Sequence, residues 1–163
     1  MTKEAEKPGR IIVSRGEKRS NARLAVVQAL YQMEIAGKGL KEIVPEYERF
    51  WMGREIEGER YKPAEGALFR AIIEGVLAEQ ITIDRTLDAL LEGWPLKRIE
   101  AIMRAILRAG AYELLHRPDV PVRVVVSEYV DIASAFLEND EVGMINAVLD
   151  ALAKSARAEE LAR

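Results

Sequence analysis

Residues 68–91 read Leu-Phe-Arg-Ala-Ile-Ile-Glu-Gly-Val-Leu-Ala-Glu-Gln-Ile-Thr-Ile-Asp-Arg-Thr-Leu-Asp-Ala-Leu-Leu. Leu68, Phe69, Ile72, Ile73, Val76, Leu77 and Ile81 recur at spacings of three and four over four turns, which is the period of a helix with one apolar stripe. Thr82 is placed to cap a continuation through Leu87, Leu90 and Leu91, stopped by Gly93 and Pro95. The same period extends outward on both sides. Towards the N-terminus, Leu24, Val27, Leu30, Tyr31 and Ile35 form a stripe, with Ser20 or Asn21 as cap and Gly37 with Gly39 as the stop. A shorter helix covers Leu40 to Met52, with Ile43, Tyr47, Phe50 and Trp51 inward, before a polar, turn-rich stretch from Gly53 to Pro63.

Towards the C-terminus, Ile99, Ile102, Met103, Ile106 and Leu107 define a helix running to Leu115, on which Ala105, Ala109 and Gly110 let a neighbour approach closely. Pro118 and Pro121 bracket a turn, and Pro121 suits the first position of the next helix. There Val124, Val125 and Val126 have strand propensity, but Tyr129, Val130, Ala133 and Phe136 continue at helical spacing, and the longer period decides for helix. A last helix carries Met144, Ile145, Val148, Leu149 and Leu152 behind an Asn139-Asp140 cap. Six or seven amphipathic helices with short connectors predict an all-α domain over residues 19–155. Residues 1–18 read as a basic flexible arm and 156–163 as a polar tail that frays.

The 163 residues are 49% hydrophobic, enough apolar surface to build a core. The absence of cysteine excludes a disulfide scaffold, a thiolate zinc site and a cysteine nucleophile together. The N-terminus has no apolar stretch of signal-peptide type, and no run of about 18 apolar residues occurs, so a cytoplasmic protein without a membrane span is expected. The net charge of −3 is unevenly spread. Residues 1–24 carry seven basic side chains against three acidic, a balance of +4, and the remainder is at −7. A basic end on an acidic body is the asymmetry of a chain whose one end meets a phosphate backbone.

Catalytic chemistry is poorly supplied. His116 is the single histidine and falls near a helix C-terminus, where an imidazolium suits the helix dipole. One histidine without cysteine falls short of a transition-metal ligand set. Glu55, Glu57 and Glu59 lie in a polar loop, Ser127 lacks a base, and Gly37-x-Gly39 follows no strand. No enzyme, metal or cofactor is therefore expected. Binding is better served. Lys18, Arg19 and Arg23 stand at the entrance of the first helix, with Gln28 and Tyr31 one to two turns further on. Guanidinium groups beside a tyrosine ring make a workable surface for stacking unpaired RNA bases, whereas helical spacing alone favours Tyr31 as a core residue. Phe136 and Asp140 end one helix and open the next, where a carboxylate accepts from base amino groups.

Several segments resemble the NusB family of bacterial transcription antitermination factors. Arg19-Ser-Asn-Ala-Arg-Leu-Ala-Val-Val-Gln-Ala-Leu-Tyr31 is similar to that family's opening helix, and Phe69-Arg-Ala-Ile-Ile-Glu-Gly75 to its third. Arg104-Ala-Ile-Leu-Arg-Ala-Gly-Ala-Tyr-Glu-Leu-Leu115 resembles the central helix, and Asp119-Val-Pro-Val-Arg-Val-Val-Val-Ser-Glu128 with Asn146-Ala-Val-Leu-Asp150 the last two. The resemblance implies a NusB-like fold of about seven helices in two small packed bundles. It implies binding to boxA-type single-stranded RNA together with NusE, a small-subunit ribosomal protein, and joining of the elongating RNA polymerase, above all on ribosomal RNA operons. Lys18, Arg19, Arg23, Gln28, Tyr31, Phe136 and Asp140 are the implied RNA face, and Met103, Arg104, Arg108 and Val122 the implied NusE face. Met103 stands where family members often carry an acidic residue, and Met103 and Val122 would serve a homodimer as readily as NusE. The alternatives are a helical protein–protein scaffold without RNA binding, or a NusB-like domain from an RNA cytosine methyltransferase. On the leading reading, Arg23→Ala is expected to weaken RNA binding by about 1 kcal/mol.

Overall fold

A computed structural model describes residues 15–51, 55–56, 59–60 and 65–162. Helix α1 runs from Arg15 to Ala36 and α2 from Leu40 to Trp51. They are followed by a two-residue antiparallel ladder, β1 (Glu55–Ile56) with β2 (Glu59–Arg60). Then come α3 (Gly66–Ala78), α4 (Gln80–Leu90), a 3-10 turn (Leu96–Arg98), α5 (Ala101–His116), α6 (Val122–Phe136), α7 (Asn139–Ala156) and the short α8 (Ala158–Leu161). The all-α class predicted from spacing is the one observed.

The stripes meet as their periodicity requires. Helix α5 is the hub: it packs on α1 and α3 on one side and on α4, α6 and α7 on the other. Helices α1, α2 and α3 also pack on one another, as do α6 and α7, so two small bundles share α5. The small residues expected to permit this do so, with Ala105 and Ala109 buried. A Cβ on Gly110 would come within 3.0 Å of Leu149. Gly75 plays the same part where α3 crosses α5, because a Cβ there would fall inside the Tyr112 ring, which is itself stacked on His116. Gly75→Ala is therefore expected to destabilise the chain by about 1–3 kcal/mol in urea denaturation, although alanine is the better helix former.

Several boundaries differ from the sequence reading. Helix α1 begins at Arg15, so Ser20 and Asn21 are interior positions rather than caps, and the expected arm is helical from residue 15 on. Residues 1–14 and the side chains of Phe50 and Trp51 lie outside the described residues. The long central pattern breaks at Glu79, three residues before Thr82, which leaves Ile81 exposed on α4. Glu138 rather than Asn139 caps α7, in a reciprocal capping box with Glu141. The triple valine is helical, as the longer period requires.

The C-terminal tail corrects the expectation of fraying. Arg157 is buried, and its guanidinium donates to the carbonyls of Glu113 (3.1 Å), Leu114 (2.9 Å), Arg117 (2.7 Å) and Val120 (3.0 Å). It also pairs at 2.6 Å with Glu160, whose other oxygen accepts from the Val122 N–H at 2.8 Å and so satisfies the start of α6. The chain end is thus a clasp over the α5–α6 connection.

Candidate nucleic-acid interface

Along α1, Gln28, Tyr31, Gln32 and Ile35 stand three or four residues apart and share one face. That face borders an open groove of about 900 Å³, whose other walls are Tyr47 of α2, the first turn of α5 and Phe136 at the end of α6. Tyr31 and Phe136 are 40% and 45% exposed, so two aromatic faces distant in sequence stand free in one groove. The groove is braced from below: Tyr47 is stacked on Phe69 (centroids 5.7 Å apart) and donates its hydroxyl to Gln32 Oε1 at 3.0 Å. Burial, with the charge of Glu46, pushes the Tyr47 hydroxyl up to about 12, so it stays a neutral donor. Gln28 Oε1 is buried and accepts no hydrogen bond among the described residues. At the groove's lip, Glu100 shares a hydrogen bond with Glu141, which raises the pKa of Glu100.

The cations lie elsewhere. Lys18 is exposed near the start of α1, and Arg19 is partly exposed with its Nε 3.4 Å from Glu65. Tyr31 lies twelve helical residues beyond Arg19, about 18 Å along the axis. The expected RNA face is therefore split into a basic end and an aromatic groove on the same helix. Asp140, exposed in the first turn of α7, is not part of the groove lining.

Arg23 requires a correction. It is 2% exposed and forms a bidentate pair with the fully buried Glu113, Nε to Oε2 at 2.7 Å and Nη2 to Oε1 at 3.0 Å. Its Nη1 donates to Glu128 at 3.1 Å, Ser20 donates to the same Glu128 oxygen at 2.7 Å, and Tyr129 donates to Glu113 at 2.6 Å. Burial works to lower the Arg23 pKa, but the hydrogen bonds and charge of Glu113 outweigh it and the pKa is raised. Burial and the Glu113 charge likewise hold the Tyr129 hydroxyl protonated. This network joins α1, α5 and α6, and Arg23 has no charge to offer a phosphate.

The expected partner face is corrected in the same way. Met103 and Val122 are buried at 3% and 7% exposure and present no apolar surface to NusE or to a second copy. Arg108 chelates Asp84 at 2.8 and 2.9 Å and reaches Glu34 at 3.2 Å. Arg104 pairs with Glu34 and with the carbonyls of Leu96, Lys97 and Ile99. The hydrogen bond from Arg104 is the main cause lowering the Glu34 pKa. Glu34 therefore stays ionised below the ordinary glutamate range, and its share of the cluster is lost only as pH falls through that lowered value. These two arginines tie α1 and α4 to α5 and are not free guanidinium groups.

Neither Glu113 nor Arg157 is among the site residues expected from sequence, although a signal existed for the first. Arg23 and Glu113 each interrupt an apolar stripe, and a charge in such a position needs a buried partner. Among the described residues no group of side chains has metal-ligand geometry, and no helix is long and apolar enough to cross a membrane.

A helical scaffold whose developed surface is an aromatic groove on a helix with a cationic end is that of a binding adaptor. The model of the NusB family matches residues 20–154. A transcription antitermination protein NusB from Bradyrhizobium sp. (strain BTAi1 / ATCC BAA-1182) is 57% identical over 166 residues, covering 99% of this chain and 98% of that protein. Among solved structures, T. maritima NusB superposes with a TM-score of 0.74 at 28% identity, over 94% of this chain and 100% of that one. A chain from a crystal structure of the antitermination factors NusB and NusE in complex with dsRNA shares the fold, with a TM-score of 0.64 at 19% identity over 88% of this chain and 99% of that one. The chain belongs to the NusB family. The relatives found for this chain carry the name transcription antitermination protein NusB.

Proposed function

We propose that this protein is a transcription antitermination factor that binds boxA-type single-stranded RNA jointly with NusE and joins the elongating RNA polymerase in the cytoplasm, notably on ribosomal RNA operons. The observation that carries the RNA reading is the convergence of Tyr31 and Phe136, both exposed, in one groove. Unpaired bases stack on such rings. Lys18 and Arg19 contribute phosphate contacts from the basic end of α1, and Asp140 flanks the strand beyond Phe136. NusE meets the rim of the Arg104, Glu34, Arg108 and Asp84 cluster, whose charges are already balanced within the chain. Membership of a NusB family whose named relatives are antitermination proteins supports the role, and the NusB–NusE–RNA assembly of a neighbour in fold supports the partners.

The test is a filter-binding titration with boxA RNA as a single strand and as a duplex, each with and without NusE. Tyr31→Ala is expected to weaken single-strand binding by about 1–3 kcal/mol, the range of one lost base stack. Lys18→Ala is expected to weaken it less and to lower the log–log salt slope by about 0.7, one phosphate's share. Equal binding of strand and duplex, with Tyr31→Ala silent, would exclude the stacking groove. Retention of NusE without any RNA affinity would identify a protein scaffold instead.

A further inference from the structure

The groove holds a polar side chain whose orientation the chain itself fixes. Gln32 is partly exposed on α1 and lines the groove beside Tyr31. Its Oε1 accepts from the Tyr47 hydroxyl at 3.0 Å, across the turn that joins α1 to α2. Tyr47 is held in place: its ring is buried and stacked on Phe69, and Ile43, one turn earlier on α2, is fully buried. A phenol is a better donor than acceptor, because the ring draws on the oxygen lone pair, and Tyr47 keeps its proton throughout the neutral range. A side-chain amide has an acceptor at one end and two donors at the other, so a partner that donates takes the oxygen and turns the nitrogen away from itself. Gln32 Nε2 has no hydrogen-bond partner among the described residues, and it is not among their buried unpaired atoms. Gln28, one turn earlier, is the contrast: none of the described residues donates to its Oε1, so none sets which end of that amide faces the groove.

Base edges differ in the same two respects. Uracil and guanine carry a carbonyl oxygen where cytosine and adenine carry an amino group, an acceptor against a donor. An amide N–H held in one sense pairs with the first kind and meets the second donor to donor, which leaves both unpaired. The rings of Tyr31 and Phe136 do not make that distinction, since every base has a π-face. We propose that Gln32 is a base-selecting residue of the groove, donating through Nε2 to the carbonyl oxygen of a uracil or guanine, and that Tyr47 is the positioning residue that holds its amide in that sense. The preference then originates in α2, which orients the amide, and not in the stacking pair. The carboxylate of Glu100 at the lip accepts and would favour amino bases instead, so the sign of the preference tells the two groups apart. The proposal rests on the RNA reading of the groove, and its test separates the two.

A single-stranded boxA RNA of about 12 nucleotides is titrated beside strands in which each uracil is replaced in turn by cytosine and each guanine by adenine. Each replacement exchanges a carbonyl edge for an amino edge at nearly constant size. The parent chain is expected to lose about 3- to 10-fold in affinity at one such position, the worth of one hydrogen bond. Gln32→Ala is expected to abolish that preference while the other positions keep theirs. Gln32→Glu should reverse it, since a carboxylate still accepts from Tyr47 and now offers an acceptor to the groove. Tyr47→Phe keeps the ring that stacks on Phe69 and should narrow the preference at the same position, a readout that lost packing alone would not move. In Gln32→Ala and Tyr47→Phe the salt slope should stay that of the parent, because no phosphate contact is removed. Three results overturn the inference: a parent chain with no carbonyl preference at any position, an amino preference at the position that Gln32→Ala alters, or a Gln32→Ala loss spread evenly over every strand. Tyr31→Ala without effect on any strand overturns the groove reading instead.

Discussion

Arg23→Met is expected to remove about 3–5 kcal/mol of folding stability and to leave the RNA affinity of the folded protein close to that of the parent chain. Glu113 is fully buried and takes both of its guanidinium partners from Arg23. Without them it is a buried carboxylate with the Tyr129 hydroxyl as its remaining strong donor, and a broken buried pair costs far more than a surface ion pair contributes. Glu128 would also lose its cation and keep Ser20. In a chain of this size the loss corresponds to a drop of roughly 6–20 °C in Tm. The pairing of Arg23→Met with Glu113→Leu should recover part of it, because the charge that cannot be solvated is then absent. Thermal melts and RNA titrations well below Tm check both halves. An unaltered melt with weakened RNA binding would mean that Arg23 works at the surface, as its position near the basic end of the sequence first suggests.

The second large effect belongs to the chain end. Arg157→Ala is expected to destabilise the protein by about 3 kcal/mol, since four main-chain carbonyls lose a charged donor and Glu160 loses its partner. The change should be concentrated where those carbonyls sit, so hydrogen exchange over residues 117–124 should accelerate more than in α3. Arg157→Lys should rescue little, because an ammonium cannot present the planar fork that reaches several carbonyls together. A polar, fraying tail would instead tolerate either substitution, or removal of residues 157–163, with no measurable loss.

The two clusters also define what the α1 helix is for. One shoulder is locked to α5 and α6 through Arg23, and its C-terminal half is locked to α5 through Glu34, Arg104 and Arg108. Between these two anchors, Gln28 and Tyr31 remain at the groove, with Ile35 just past the second. A rigid helix with a free aromatic stripe loses little ordering entropy on meeting a flexible strand, which favours a preformed binding face.

Helix identity in this chain is a local property. Apolar residues at three and four announce α3, α5 and α7 with no knowledge of their neighbours, and in α6 a period sustained from Val125 to Ala133 overrides the strand preference of three valines. Gly37, at φ 68°, ends α1 because the left-handed conformation is open to glycine. Boundaries were harder, since Thr82 and Asn139 are good caps by chemistry, while the chain turns at Glu79 and Glu138, where the packing of whole helices requires it. The side-chain roles could not be read locally. Arg23 and Lys18 are both cations near the same helix end, and what separates them is Glu113, ninety positions away in sequence on α5. A charge is buried or displayed according to whether a partner meets it when the helices pack. Likewise Tyr31 and Phe136 become one groove only through the crossing of α1 with the end of α6, because contact between distant stripes depends on three-dimensional packing that no short window of residues contains.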